Sequence, residues 1–89
     1  VKLVFSSIAW NQYQHWLEHD RTILLKINQL LAECLRTPFA GTGKPEPLRN
    51  ELKGLWSRRI TQEHRLVYRV TGRGDQQALE IAACRYYYE

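Results

Sequence analysis

The spacing of apolar positions along this chain changes twice, and each change marks an element. Residues 2–5, KLVF, form an apolar run of strand length, and Ser6 or Ser7 then supplies the hydroxyl that caps a helix running to about Asp20. Trp10, Tyr13 and Trp16/Leu17 recur in it at helical spacing. Asp20 offers a second cap, and Ile23, Leu24, Ile27, Leu30, Leu31, Cys34 and Leu35 make a broad apolar stripe to about Arg36. Thr37–Pro47, TPFAGTGKPEP, holds all three prolines and two of the five glycines, so the helix stops and an ordered loop begins. Beyond it the period falls to two, giving strands near 55–61, 65–71 and 78–86, separated by QEH and GRGDQQ. The order β-α-α-β-β-β predicts one α+β domain over 1–89, with the two helices on one face of an antiparallel sheet and the other face open.

Alternation sorts the hairpin side chains. Trp56, Arg58 and Ile60 share one face and Ser57, Arg59 and Thr61 the other; in the next strand Leu66, Tyr68 and Val70 oppose Arg65, Val67 and Arg69. A three-residue turn at Gln62, Glu63 and His64 sets Thr61 opposite Arg65 and Arg59 opposite Val67, and gathers Arg59, Arg65 and Arg69 on the solvated face; a two-residue turn would reverse the faces. Such a bundle of guanidinium groups calls for an anion. The competing reading is a solvated sheet face whose arginines deter edge-to-edge aggregation.

Charge bears on that choice. The net charge is +4, from 13 Lys+Arg against 9 Asp+Glu, which favours polyanionic partners: nucleic acid first, an acidic protein second. CRYYYE brings Arg85, Tyr86, Tyr87 and Tyr88 toward the same sheet, and basic groups interleaved with aromatics suit phosphate neutralisation and base stacking on single-stranded RNA. No stretch approaches the ~20 apolar residues of a membrane span, and VKLVFSSIAW is too short for a signal peptide, so the expectation is an intracellular protein with no membrane partner. Cys34 and Cys84 read as two buried thiols; spacing alone leaves a bridge open.

Other candidate sites are weaker. GTGKPEP lacks the spacing of a phosphate-binding P-loop, and proline follows its lysine. Glu46, between two prolines, is a carboxylate in a stiff extended segment: either a surface glutamate or a base in reach of a proton. His15 and His19, four apart, could bridge a metal but have no third ligand, and no zinc pattern or cofactor motif is present. Trp10, Tyr13 and Trp16 suit a core or a partner surface. His64 is a shaper of the turn or a ligand to phosphate.

TPFAGTGKPEPLRNELKGLWSRRITQEHRLVYRV followed by IAACRYYY closely resembles the YoeB/Txe family of bacterial toxins, within the RelE superfamily of messenger-RNA interferases. The resemblance spans nearly the whole chain. It implies a microbial RelE-like fold and a cytoplasmic ribonuclease that enters the A site of the 70S ribosome and cuts mRNA there. The cut proceeds without metal or cofactor, by attack of the ribose 2′-OH, leaving a 2′,3′-cyclic phosphate and a 5′-OH. It also implies a YefM-like antitoxin, operator DNA bound through the antitoxin complex, and a homodimer. Carried over by position, Glu46 matches the general base and Arg65 the arginine that stabilises the phosphorane, with Arg59 assisting. Glu63 matches an orienting acid, Arg49 stands where the family usually has lysine, and Tyr88 matches the C-terminal tyrosine; Arg69 and Arg85 complete the expected RNA-binding set. The departure is Tyr87, where the family pattern CRYHY has a histidine as general acid. An alternative is therefore an RNA- and antitoxin-binding protein that cuts poorly and acts mainly as corepressor; a stand-alone ribonuclease is a third reading.

Overall fold

A computed structural model describes residues 1–88; Glu89 lies outside the described residues. The strands are β1 (Lys2–Phe5), β2 (Glu46–Pro47), β3 (Trp56–Arg59), β4 (Arg65–Thr71) and β5 (Ala78–Ala83), and the helices α1 (Ser7–His19) and α2 (Arg21–Arg36). Both helices begin where the sequence placed their caps. Ser6 Oγ accepts the Ala9 N–H at 3.0 Å and Asp20 Oδ1 accepts that of Ile23 at 3.2 Å, each satisfying an otherwise orphaned donor of the first turn.

The sheet order is β1-β5-β4-β3-β2, and it is mixed. β2 to β5 run antiparallel, as expected, but β1 lies parallel to β5, with Lys2 beside Ala78 and Phe5 beside Ile81. The all-antiparallel expectation fails at this edge because alternation reveals a strand's faces but not its neighbour. Once β3, β4 and β5 form a meander and β2 covers β3, the open edge is at β5, and a parallel pairing needs the long crossover that the helices and later strands provide.

The core lies between the helices and one sheet face, where Leu24, Ile27, Leu30 and Cys34 of α2 and Trp16 of α1 meet Leu66, Tyr68, Leu79 and Ile81. Cys34 and Cys84 are free, buried thiols, and burial pushes the Cys84 thiol up to about 12. The face expected to be open carries a second, smaller apolar cluster of Leu48, Val67 and Ala83, against which Tyr88 packs.

Two boundaries differ from expectation. β5 ends at Ala83 instead of continuing to 86, because α1 captures the backbone of Cys84: its N–H donates to Gln12 Oε1 at 2.7 Å and its carbonyl accepts from Trp16 Nε1 at 2.8 Å. The β3–β4 connection is longer than three residues. His64 O accepts from both the Ile60 and Thr61 amides, Thr61 Oγ1 accepts from the Glu63 and His64 amides, and Arg59 pairs with Arg65. The register is thus displaced by two residues from the expected one, which leaves every side chain on its predicted face.

Arg58, in line with Trp56 and Ile60, is fully buried at 0% exposure. Its guanidinium is consumed by the Thr37–Lys44 loop: it donates to the carbonyls of Thr37, Ala40 (2.8 Å) and Thr42 (3.2 Å), and its Nε to Tyr68 Oη at 3.3 Å, while Glu33 lies 3.5 Å away. Tyr68 Oη in turn donates to Pro38 O at 2.6 Å. A buried arginine is tolerable when its donors are satisfied in this way.

Candidate active site

On the sheet face away from the helices, a cavity of about 590 Å³ is lined by Lys44, Glu46, Arg49, Arg59, Arg65, Tyr87 and Tyr88, among others. Its position follows from strand order and side-chain alternation. Glu46 of β2 lies beside Ser57 of β3, and Ser57 beside Val67 of β4, so Glu46 shares a face with Arg59 and Arg65. With strands about 4.8 Å apart, the backbones of β2 and β4 are roughly 10 Å apart, and Arg65 is offset two residues along β4 from the position level with Glu46. Within the cavity Lys44, Arg49, Arg59 and Arg65 set four cations against the single carboxylate of Glu46. That balance attracts an anion and leaves one proton acceptor to face it.

The Glu46 wall is held from below. Gly43 crosses β3 so closely that a Cβ there would lie 3.1 Å from Arg59 O, and its φ of +86° belongs to the left-handed region. Gly43 O accepts the Arg59 N–H at 2.7 Å, and Thr42 N–H donates to Glu33 Oε1 at 2.6 Å. This bond, followed by the Thr42 side chain and the Arg58 charge, holds the Glu33 carboxyl below its usual range. Lys44 itself has φ +51°, a conformation uncommon outside glycine and asparagine.

Arg65 forms the opposite wall. It is only 9% exposed, and its Nη1 donates to the carbonyls of Thr61 (2.7 Å), Gln62 (3.2 Å) and His64 (3.0 Å). Among the described residues no hydrogen bond occupies its Nε or Nη2. Its guanidinium lies 4.5 Å from the centroid of the Tyr87 ring. The expectation of a freely solvated Arg65 is therefore corrected: the side chain reaches the cleft but also ties down the loop beneath it.

The structure brings together Glu46, Arg49, Arg59, Arg65, Tyr87 and Tyr88 and leaves out three expected partners. Arg69 opens onto a different groove, its Nε 2.7 Å from Glu80 Oε1. Arg85 turns toward α1, stacking 5.6 Å from the Trp16 ring and 4.8 Å from Tyr86, with Nε buried and unpaired. Glu63 is exposed and takes part in neither ion pair found among the described residues, Arg58–Glu33 and Arg69–Glu80. His15 stacks on His19 at 4.5 Å, and no cluster of three His, Cys, Asp or Glu able to hold a metal occurs among the described residues.

The family model described as "YoeB-like toxin of bacterial type II toxin-antitoxin system" matches residues 5–88. The chain belongs to this family. It is 54% identical over 88 residues to Toxin YoeB of Escherichia coli (strain K12), covering 99% of this chain and 100% of that one. The solved YoeB/ParE toxin from Agrobacterium tumefaciens is 51% identical and superposes with a TM-score of 0.94 over 99% of this chain and 100% of that one. The YoeB dimer from Staphylococcus aureus has a TM-score of 0.86 at 39% identity, over 99% of this chain and 98% of that one. A YoeB toxin from Staphylococcus aureus in a heterotetrameric YoeB–YefM toxin-antitoxin complex has a TM-score of 0.84 at 40% identity, with the same coverage. This chain is thus a toxin of the YoeB type from a type II toxin-antitoxin system.

Lys44, in the cleft, and Arg58, in the core beneath the loop, carry roles that residue type alone does not reveal. Lys44 sits in the GTGKPEP stretch that fails as a P-loop, yet it lines the cleft two residues before Glu46, placed there by a left-handed backbone that residue type does not signal. Arg58 was assigned to the core face without its consequence: a charge there needs several backbone acceptors, and only the neighbouring proline- and glycine-rich loop could supply them.

Proposed function

We propose that this toxin is a ribosome-dependent endoribonuclease that cuts mRNA in the ribosomal A site. The observation that carries the reading is the placement of one carboxylate, Glu46, across a strongly basic cleft from Arg59 and Arg65. Glu46 takes the proton of the ribose 2′-OH, O2′ attacks the adjacent phosphorus, and the P–O5′ bond breaks with a proton delivered to O5′. The products are a 2′,3′-cyclic phosphate and a 5′-OH. Arg65, through Nε and Nη2, meets the charge that develops on the phosphorane, with Arg59 and Lys44 beside it. Tyr87, against Arg65, stands where a proton donor to O5′ is required, and Tyr88 and Arg49 flank the bound strand. Arg69, Arg85 and Glu63 have no part in this cleft.

The reaction uses substrate oxygen as nucleophile and guanidinium groups as electrostatic stabilisers, and so draws on no metal or cofactor. Its substrate lies in the cytoplasm, and no described helix is long and apolar enough to cross a membrane. The Staphylococcus aureus assemblies support a homodimer and a YefM-like antitoxin for this chain as well; binding of operator DNA through that complex is part of the proposal. The replacement of the family's histidine by Tyr87 supports a second reading, in which the protein cuts poorly and serves mainly as corepressor.

Primer extension on messenger from translating ribosomes, compared with ribosome-free RNA, tests the proposal. Discrete A-site stops are expected only with ribosomes, and Glu46→Gln should slow their appearance by roughly 10²-fold or more, the range for removal of a positioned base. Absence of stops with the parent protein would favour the corepressor reading; stops on free RNA would favour a stand-alone nuclease.

A further inference from the structure

Tyr86 is one of two residues near the cleft, with Lys44, that are neither glycine nor asparagine yet have positive φ, here +73°. Something must hold it there. Two hydrogen bonds do: its N–H donates to His64 Nδ1 at 2.8 Å, and its carbonyl accepts from the Arg65 N–H at 2.9 Å. The left-handed residue turns the chain back, so that Tyr87 folds over the Arg65 guanidinium and Tyr88 packs on the Leu48, Val67 and Ala83 cluster beside the cleft. The His64 ring is itself fixed, edge-on to Trp16 at 4.8 Å and 73°, and Trp16 is 5% exposed and bonded to Cys84 O.

We infer that His64 is a positioning residue for the cleavage reaction. It does not line the cleft. As a hydrogen-bond acceptor for the backbone of Tyr86, it fastens the tail that presents Tyr87 and Tyr88 to the leaving-group side of the cleft. Only a ring carrying its proton on Nε2, with Nδ1 bare, can do this; a proton on Nδ1 would set two donors against each other. This assigns a role to the histidine of the QEHR stretch that the proposed chemistry leaves unused. The inference rests on the proposed cleavage for its catalytic consequence, whereas the clasp itself is a property of the free protein.

The test separates the two. In the wild-type protein, long-range proton–nitrogen correlation spectra should show His64 as the Nε2–H tautomer; an Nδ1–H ring overturns the inference without reference to activity. His64→Phe keeps a ring against Trp16 and loses the acceptor, whereas His64→Asn loses the ring but sets an amide oxygen near the place of Nδ1. His64→Phe should speed deuterium exchange at the Tyr86 amide by about tenfold or more. It should also lower the single-turnover cleavage rate on programmed ribosomes by roughly 10- to 100-fold, the scale of a 1 Å misplacement, with ribosome affinity unchanged. His64→Asn should recover part of both losses. Parental Tyr86 exchange in His64→Phe overturns the clasp. Faster exchange with parental cleavage shows that the clasp does not position the reaction, and His64→Asn no better than His64→Phe shows that the ring matters and not its acceptor. Should the parent protein itself fail to cut, the cleavage reading falls while the tautomer and the exchange rates still decide the clasp.

Discussion

Replacing Arg58 by methionine keeps an unbranched stem in the core and deletes every donor at its end. The carbonyls of Thr37, Ala40 and Thr42 then lose a charged partner together, and Tyr68 Oη loses a donor. Hydrogen bonds to a charged group contribute about 1.5–3 kcal/mol each, and the loop is near enough to solvent for water to replace part of what is lost. The low end of that range, applied to the carbonyls, gives a destabilisation of roughly 4 kcal/mol. At ~0.05–0.15 kcal/mol per residue, a domain of this size has roughly 4–13 kcal/mol in all, so the variant should sit near the edge of folding. The thermal midpoint should fall by roughly 15–30 °C, at about 4–8 °C per kcal/mol. The assay is urea unfolding followed by tryptophan fluorescence and far-UV circular dichroism, with the midpoint compared at constant m. A loss under about 1 kcal/mol would refute the view that this arginine holds the loop.

Three further outcomes follow from the same geometry. The folded-state pKa of Glu33 is depressed, so its contribution is complete above the ordinary carboxylate range and is lost as pH falls through the folded value. Glu33→Gln should therefore be less stable than the parent at pH 7 and converge with it as pH falls below the ordinary carboxylate range and through the lower folded value; a gap constant with pH would contradict this. Arg65→Ala should abolish cleavage and also lower stability by about 1–3 kcal/mol, because three loop carbonyls lose their donor. An unchanged urea midpoint would restore the solvated-face picture of Arg65. Tyr87→His should cut about tenfold faster near neutral pH and Tyr87→Phe about tenfold slower than the parent, each step being about 1.4 kcal/mol of barrier. Single-turnover rates on programmed ribosomes check this, and a Tyr87→Phe rate equal to the parent's removes Tyr87 from proton transfer.

What the chain revealed in advance depended on the range of the interaction. Both helix caps, the α2 stripe and the face of every hairpin residue were legible because they are set within a few residues: a hydroxyl or carboxylate three positions before an amide, a period of 3.6, a period of two. The edge taken by β1 and the early end of β5 were not, since each depends on partners roughly 70 or more positions away, such as Gln12 for the Cys84 amide. At the site, Glu46 stood out through the prolines beside it, and Arg59 and Arg65 through alternation. Arg69 and Arg85 share the composition of that surface but not its place. Glu80 engages the first, and α1 draws the second aside through Trp16.

The parallel pairing of β1 with β5 also sets a timetable. During synthesis the first strand emerges long before the strand it must join, and the domain's earliest and latest strands stay apart until Ala78–Ala83 has been made. The tail residues that line the cleft come after β5 in the chain, so the cleft walls supplied by Tyr87 and Tyr88 are the last to arrive. The cleft of a protein proposed to attack translating ribosomes therefore cannot be complete until the chain beyond β5 has emerged and folded back over Arg65.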